Sequence, residues 1–234
     1  MTATCGLLIA LVAIGDAGFL WARYTGHPQL AHSALIFAST SFVALVLATG
    51  ATRCWYGRLI LLGLVLCWLG DCLGPYDLMA SASAFLWGHS AFMAAFAVRG
   101  VRPRRLLVAL LVTVLATGIA LRWIYPYVPR DDYLPVFSYL FAFTLMLVFA
   151  GGSRPGPAFP LIIIGSVLFY LGDLFFALDE YIRPAFVNVA ASFSLYYASC
   201  ILFALTPLVH KKETRRRETP NDHAARVSRA EGVG

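Results

Sequence analysis

Eight apolar runs, at residues 5–22, 32–50, 58–76, 78–98, 104–121, 133–150, 160–178 and 186–208, take up most of a 234-residue chain. Each is close to the roughly 20 residues with which a helix, rising 1.5 Å per residue, crosses an apolar core about 30 Å thick. Short connections rich in turn formers separate them, as at Gly26-His27-Pro28, Gly74-Pro75 and Gly151 to Pro157. Inside a bilayer the backbone must satisfy its own hydrogen bonds, and runs of this length do so as helices. The expected fold is all-α: a polytopic membrane bundle of eight transmembrane helices over residues 1–209, then a basic tail, 210–234, without apolar periodicity and expected to be disordered. Only 13% of residues are charged and 60% are apolar, which excludes a soluble domain, a disordered protein and a secreted disulfide scaffold.

The net charge of +6 reflects where the basic residues stand, not a nucleic-acid partner. With eight crossings both termini share a side, and 14 of the 18 Lys and Arg fall there, in the 53–58, 99–105 and 151–157 connections and the tail. The other side has Arg23, Arg122, Arg130 and Arg183. This asymmetry predicts cytoplasmic termini, in a plasma membrane of bacterial type, with the tail beside anionic headgroups. The first run has no basic residue before it, carries Asp16 and lacks a small-x-small cleavage site, so it reads as a retained helix. The five cysteines form no C-x-x-C pair and read as small core residues; neither metal nor cofactor is expected.

Three carboxylates interrupt the apolar runs: Asp16, Asp71 and Asp173. Each costs roughly 2.5–3.5 kcal/mol to insert at depth, so such a residue usually faces a polar cavity and marks function. All three follow a glycine, and the last two share more: Val65-Leu66-x-aromatic-Leu69-Gly70-Asp71 is matched 102 residues later by Val167-Leu168-x-aromatic-Leu171-Gly172-Asp173. Asp77 and Asp179 keep the same offset. Both aspartates fall 13 residues into their expected spans, about 20 Å from one end. A parallel internal repeat, with helices three and four matching seven and eight, would set the two carboxylates at equal depth across one cavity. Interhelical hydrogen bonding is the plainer alternative for the pair, and Asp16 is open to either reading.

Further polar residues sit among the spans. His89 lies well inside helix four, either bonded to a neighbouring helix or part of a site. Helical depth argues against its touching Asp71 directly. Tyr170 precedes Asp173 by three residues and shares its face. In helix eight Asn188, Ser192, Tyr196 and Ser199 form a stripe at helical spacing. Before Lys211 the chain has no lysine, which excludes a retinal Schiff base, and it carries no G-x-S-x-G, H-E-x-x-H or P-loop motif. Asp131-Asp132 is a single acidic pair, too little for a metal-dependent prenyl-diphosphate enzyme. Chemistry here must come from Asp, His, Tyr and water.

At Leu69-Gly70-Asp71, Phe85-x-x-Gly88-His89, Leu171-Gly172-Asp173-Leu174 and Tyr196-Tyr197-Ala198 the chain resembles the YhhN-like lysoplasmalogenase family. The resemblance spans roughly residues 58–208 and extends loosely to the first two helices. It departs from the family at Phe92, where a tyrosine is common, and around His32 to Phe37, where a lysine is common. It implies an eight-span hydrolase that cleaves the vinyl ether bond of lysoplasmalogens, alkenyl lysophospholipids, to a fatty aldehyde and a glycerophospho-alcohol.

That reaction begins with protonation of an alkene carbon, passes through an oxocarbenium ion and ends when a water adduct collapses. It needs one protonated and one ionised carboxyl, as glycoside hydrolysis does. Asp71 and Asp173 are the expected catalytic pair. His89, Tyr170, Tyr197, Asp16, Asn188, Ser192 and Tyr196 are the expected second tier. A proton-coupled transporter or channel using the same aspartates, and a non-catalytic lipid-binding protein, remain open from the residues alone. A hydrolase consumes a lyso-lipid in detergent, whereas a transporter needs two compartments.

Overall fold

The structure, a computed structural model, describes residues 3–231, with side chains described through Glu213. Eight α-helices follow one another: α1 Ala3–Tyr24, α2 Pro28–Ala48, α3 Trp55–Leu73, α4 Leu78–Val98, α5 Pro103–Ile124, α6 Tyr133–Gly152, α7 Phe159–Ala177 and α8 Phe186–Glu231. All eight are long and apolar enough to cross a membrane. A π-helical turn, Leu178–Ile182, prolongs α7. Prolines start α2 and α5, ahead of their apolar runs, where the missing amide costs nothing. Helix α3 starts at Trp55, with the Gly57 amide 3.4 Å from Cys54 Sγ, and ends at Leu73 before Gly74-Pro75. It is therefore shifted from the expected 58–76. As a result Asp71 lies 16 residues beyond the start of its helix and Asp173 14 beyond its own, so the expected equal depth is off by about one residue pair, or 3 Å.

Consecutive helices pack as hairpins, α1 on α2, α3 on α4 and α7 on α8, and α8 also meets α1, α2 and α3 at the centre. Helix α5 leans chiefly on α6 and buries only Thr113, Thr117 and Ile124. The 102-residue offset runs through the packing. A Cβ on Gly63 or Gly70 would stand 2.4 or 2.6 Å from the rings of Phe92 and Phe85. One on Gly165 or Gly172 would stand 2.8 Å from Phe203 or 3.0 Å from the Ser192 carbonyl. In both hairpins two glycines seven residues apart seat the following helix, the small-residue seam that close membrane packing needs. Of the repeated outer aspartates, Asp77 caps α4, accepting from the Ala80 amide at 3.0 Å, and Asp179 of the π-helical turn accepts from the Ala185 amide just before α8 at 2.8 Å.

Gly15 of α1 meets α2 so closely that an added Cβ would sit 2.7 Å from Ala38 Cβ and 2.9 Å from its backbone, whereas Gly6 has nothing within 4 Å. Gly15→Leu is expected to destabilise by about 1–3 kcal/mol through overpacking. Gly6→Leu should be neutral. Thermal unfolding of the two variants in detergent checks the difference.

Helix α8 continues past the expected boundary at 209. The His210 ring tilts against Tyr56 with centroids 4.6 Å apart, and Glu213 Oε2 is 2.8 Å from Arg99 Nη2. Residues 210–213 are thus docked, held by a ring contact and an ion pair that hydropathy does not register. The side chains of the remaining expected tail, 214–234, lie outside the described residues. At this basic end the connections 99–102 and 152–154 also pair, with Arg102 N donating to the Gly152 carbonyl at 2.9 Å and Arg154 N to that of Gly100 at 2.8 Å.

Candidate active site

Asp173 lies one turn from the end of α7, its side chain 14% exposed. Two residues converge on it. The Tyr139 hydroxyl, from α6, donates to Oδ1 at 2.9 Å, and His89 Nε2, from α4, is 3.2 Å from Oδ2. His89 Nε2 is also 3.3 Å from the Tyr139 hydroxyl, so carboxylate, phenol and imidazole form a closed triangle. His89 is fully buried, and the rings of Phe169, Tyr139 and Phe143, at centroid distances of 4.6, 5.2 and 6.2 Å, hold it in place. Its Nδ1 has no hydrogen-bond partner. Hydrogen bonds link His89 to Tyr139 and Tyr139 to Oδ1 of Asp173, while Oδ2 makes none and meets the imidazole as a close contact, in a site mostly closed to solvent.

Asp71, 4% exposed, anchors a second arm. The hydroxyl of Tyr196, from α8, donates to its Oδ2 at 2.9 Å, while Ser39 of α2 gives its hydroxyl to the Leu35 carbonyl at 2.8 Å. The two arms are arranged alike. In each, the aspartate sits on the first helix of one repeated hairpin and its ring partner on the second helix of the other: Tyr196 of α8 serves Asp71 of α3, and His89 of α4 serves Asp173 of α7. Between the arms stands Phe169, its ring centroid 4.6 Å from His89 and 5.3 Å from Tyr196. The two arms, each with one carboxylate of the expected pair, thus stand either side of one aromatic ring. As helical depth suggested, the partner of His89 is not Asp71 but Asp173, which lies four residues before the end of α7 where Asp71 lies two before the end of α3.

The remaining candidates disperse. Tyr170 turns toward α5, its hydroxyl 3.2 Å from that of Thr117 and its ring 5.0 Å from Phe143. Tyr197 donates to the Leu35 carbonyl at 3.2 Å and tilts against Tyr196 at 4.9 Å, next to the Asp71 arm without touching the carboxylate. Asp16 accepts from Ser194 at 2.9 Å and ties α1 to α8. Asn188 donates to the Arg183 carbonyl at 2.8 Å and secures the turn before α8. Ser192 is buried where its carbonyl faces Gly172. Of the helix-eight stripe, Tyr196 alone reaches a carboxylate among the described contacts.

Two residues central to the geometry were not singled out from the sequence, Tyr139 and Phe169. Tyr139 carries a readable signal: it sits six residues inside α6, deeper than the interfacial belt where tyrosines of membrane proteins collect. Phe169 carries none, being one of 17 phenylalanines in an apolar chain.

The YhhN family model matches residues 33–206, three quarters of the chain and all the residues of both arms. No curated protein and no solved structure matches.

Proposed function

Since the chain belongs to the YhhN family, the family of lysoplasmalogenases, we propose that it is an integral membrane hydrolase of the vinyl ether bond of alkenyl lysophospholipids, with its termini on the cytoplasmic side. The observation that supports the reaction is the unequal provision around the two buried carboxyls. Asp173 has an imidazole and a phenol beside its two oxygens, whereas the hydrogen bond described at Asp71 comes from the Tyr196 hydroxyl. Two carboxyls in contrasting surroundings divide acid and base roles.

In this mechanism Asp71 gives its proton to the alkene carbon distal to the ether oxygen. The electron pair of the double bond forms the new C–H bond, and the adjacent carbon becomes an oxocarbenium ion. Asp173, oriented by Tyr139 and His89, takes a proton from the water that adds to that carbon. The Asp71 carboxylate then takes the hydroxyl proton of the hemiacetal as the C–O bond to the glycerophospho-alcohol breaks, and Asp173 gives the proton it took from water to the leaving oxygen, so the aldehyde is released and both carboxyls return to their starting states. The vinyl ether has to lie between the two arms, so substrate turns Phe169 aside, and the ring's π-face then adjoins the developing cation. His89 and Tyr139 act through Asp173 and are positioning residues.

Purified protein incubated with an alkenyl lysophospholipid should release fatty aldehyde, without added metal. No release from folded protein with either ethanolamine or choline headgroups sinks the proposal. Tyr139→Phe removes one hydrogen bond to a charged acceptor, worth about 1.5–3 kcal/mol, so kcat should fall roughly 10- to 100-fold with little change in KM. An unchanged kcat would show that Tyr139 does not orient Asp173.

A further inference from the structure

On its outer face the seam between α4 and α6 opens into a groove of about 340 Å³, walled by Leu86, Trp87, Ser90 and Met93 of α4 and Ser138, Phe141, Ala142 and Leu145 of α6. No charged residue lines it. Ser90 spends its hydroxyl on the Leu86 carbonyl at 3.0 Å, which leaves its small apolar side toward the groove. Trp87 and Phe141 stand out at the rim, 63% and 65% exposed.

The inner side of the same seam is the Asp173 arm. Ser90 follows His89 and Ser138 precedes Tyr139, and the rings of those two inner residues meet at 5.2 Å across the same pair of helices. The small residues Ser90 and Ser138 of the groove thus adjoin the two ring-bearing residues of the triangle. The groove also has a direction. Along α6 it runs from Ser138, beside Tyr139, to Leu145, about 10 Å farther from the end where α6 starts, and along α4 from Leu86, about a turn before His89, to Met93, about a turn past it. At that starting end Arg130 and Arg183 are exposed.

We propose that this groove holds the single aliphatic chain of the substrate lyso-lipid, which approaches sideways from the bilayer through the α4–α6 seam. The identity of the chain rests on the ether-lipid reading above. The fit is one of order along the molecule: phosphate at the end with Arg130 and Arg183, the vinyl ether level with the triangle, the hydrocarbon deeper in a trough without charge. One trough beside the site suits a lipid with one chain, and a diacyl lipid would have to leave its second chain outside.

The test uses the full chain in phosphatidylcholine vesicles with a lysophosphoethanolamine probe whose saturated alkyl ether chain ends in a diazirine. Lacking the vinyl group, this probe is not consumed. Photolysis should label peptides carrying residues 86–93 and 138–145, and excess unlabelled alkyl lyso-lipid should remove that labelling where excess diacyl lipid does not. Ser138→Phe, at an exposed position, fills the trough and should reduce the competed labelling about tenfold, with KM for the alkenyl substrate raised similarly and kcat little changed. Val108→Phe, on the exposed face of α5, should change neither. Label spread evenly over the outward faces, α5 included, or seam label that excess lyso-lipid fails to displace, overturns the proposal. A wild type that releases no aldehyde yet shows competed seam label defeats the hydrolase reading and leaves the groove standing as a lyso-lipid site.

Discussion

Asp71→Asn is expected to lower kcat for aldehyde release by about 10²- to 10⁴-fold, the share of a rate that a positioned proton donor supplies, while KM stays within a few-fold. Asparagine keeps the size of the side chain and still accepts from the Tyr196 hydroxyl, now 2.9 Å from Oδ2, so the arm should stay folded. What it lacks is the acidic proton that the alkene carbon must receive. Asp173→Asn should cost a comparable factor through the other half of the reaction, since an amide neither takes the proton of the adding water nor offsets a cation.

His89 separates this account from a merely structural role. Alone, His89→Gln should lower kcat through the orientation of Asp173. Introduced into Asp173→Asn it should add little, because residues that act as one unit are not additive. Equal factors for His89→Gln in both backgrounds would show that the imidazole acts independently of Asp173. Turnover by folded Asp71→Asn near the wild-type rate would remove Asp71 from the chemistry altogether.

The eight spans were legible because a bilayer admits few answers: Pro28, Gly74-Pro75 and Pro103 set ends to within a few residues, and the apolar runs could be nothing but helices. The aspartates were legible for the same reason, a charge in hydrocarbon being too costly to be incidental. Their partners were not. Tyr196 is 125 residues from Asp71 and Tyr139 is 34 from Asp173, so both contacts come from how hairpins cross, about which helical periodicity is silent. The repeat identified which helices correspond but not that each aspartate draws its ring from the opposite hairpin. Tyr170 shows the limit of shared-face reasoning: it lies three residues before Asp173, yet its hydroxyl finds Thr117 on α5. The basic end misled differently, since hydropathy weighs Arg99 and Glu213 as solvated charges and cannot foresee that they bury each other.

That pair supplies the second large effect. Arg99 and Glu213 are 2% and 9% exposed at their side chains and joined at 2.8 Å, and Arg99 also donates to the Arg154 carbonyl. One guanidinium thereby links the end of α4, the 152–154 connection and the continuation of α8, where a Cβ on Gly156 would collide with the Glu213 carboxylate. Arg99→Met takes the guanidinium from a carboxylate that stays in this enclosure, and breaking such a pair from one side costs about 3–5 kcal/mol. Replacing both charges together does not incur that penalty, because the desolvation of two ions is relieved along with their attraction. Arg99→Met with Glu213→Leu should therefore recover most of the stability lost by Arg99→Met alone, the three forms being compared by thermal unfolding in one detergent. A double variant no more stable than the single one would mean that the carbonyl of Arg154, not the ion pair, is what Arg99 is needed for. Since neither residue touches the two arms, aldehyde release per folded molecule should be the same in all three.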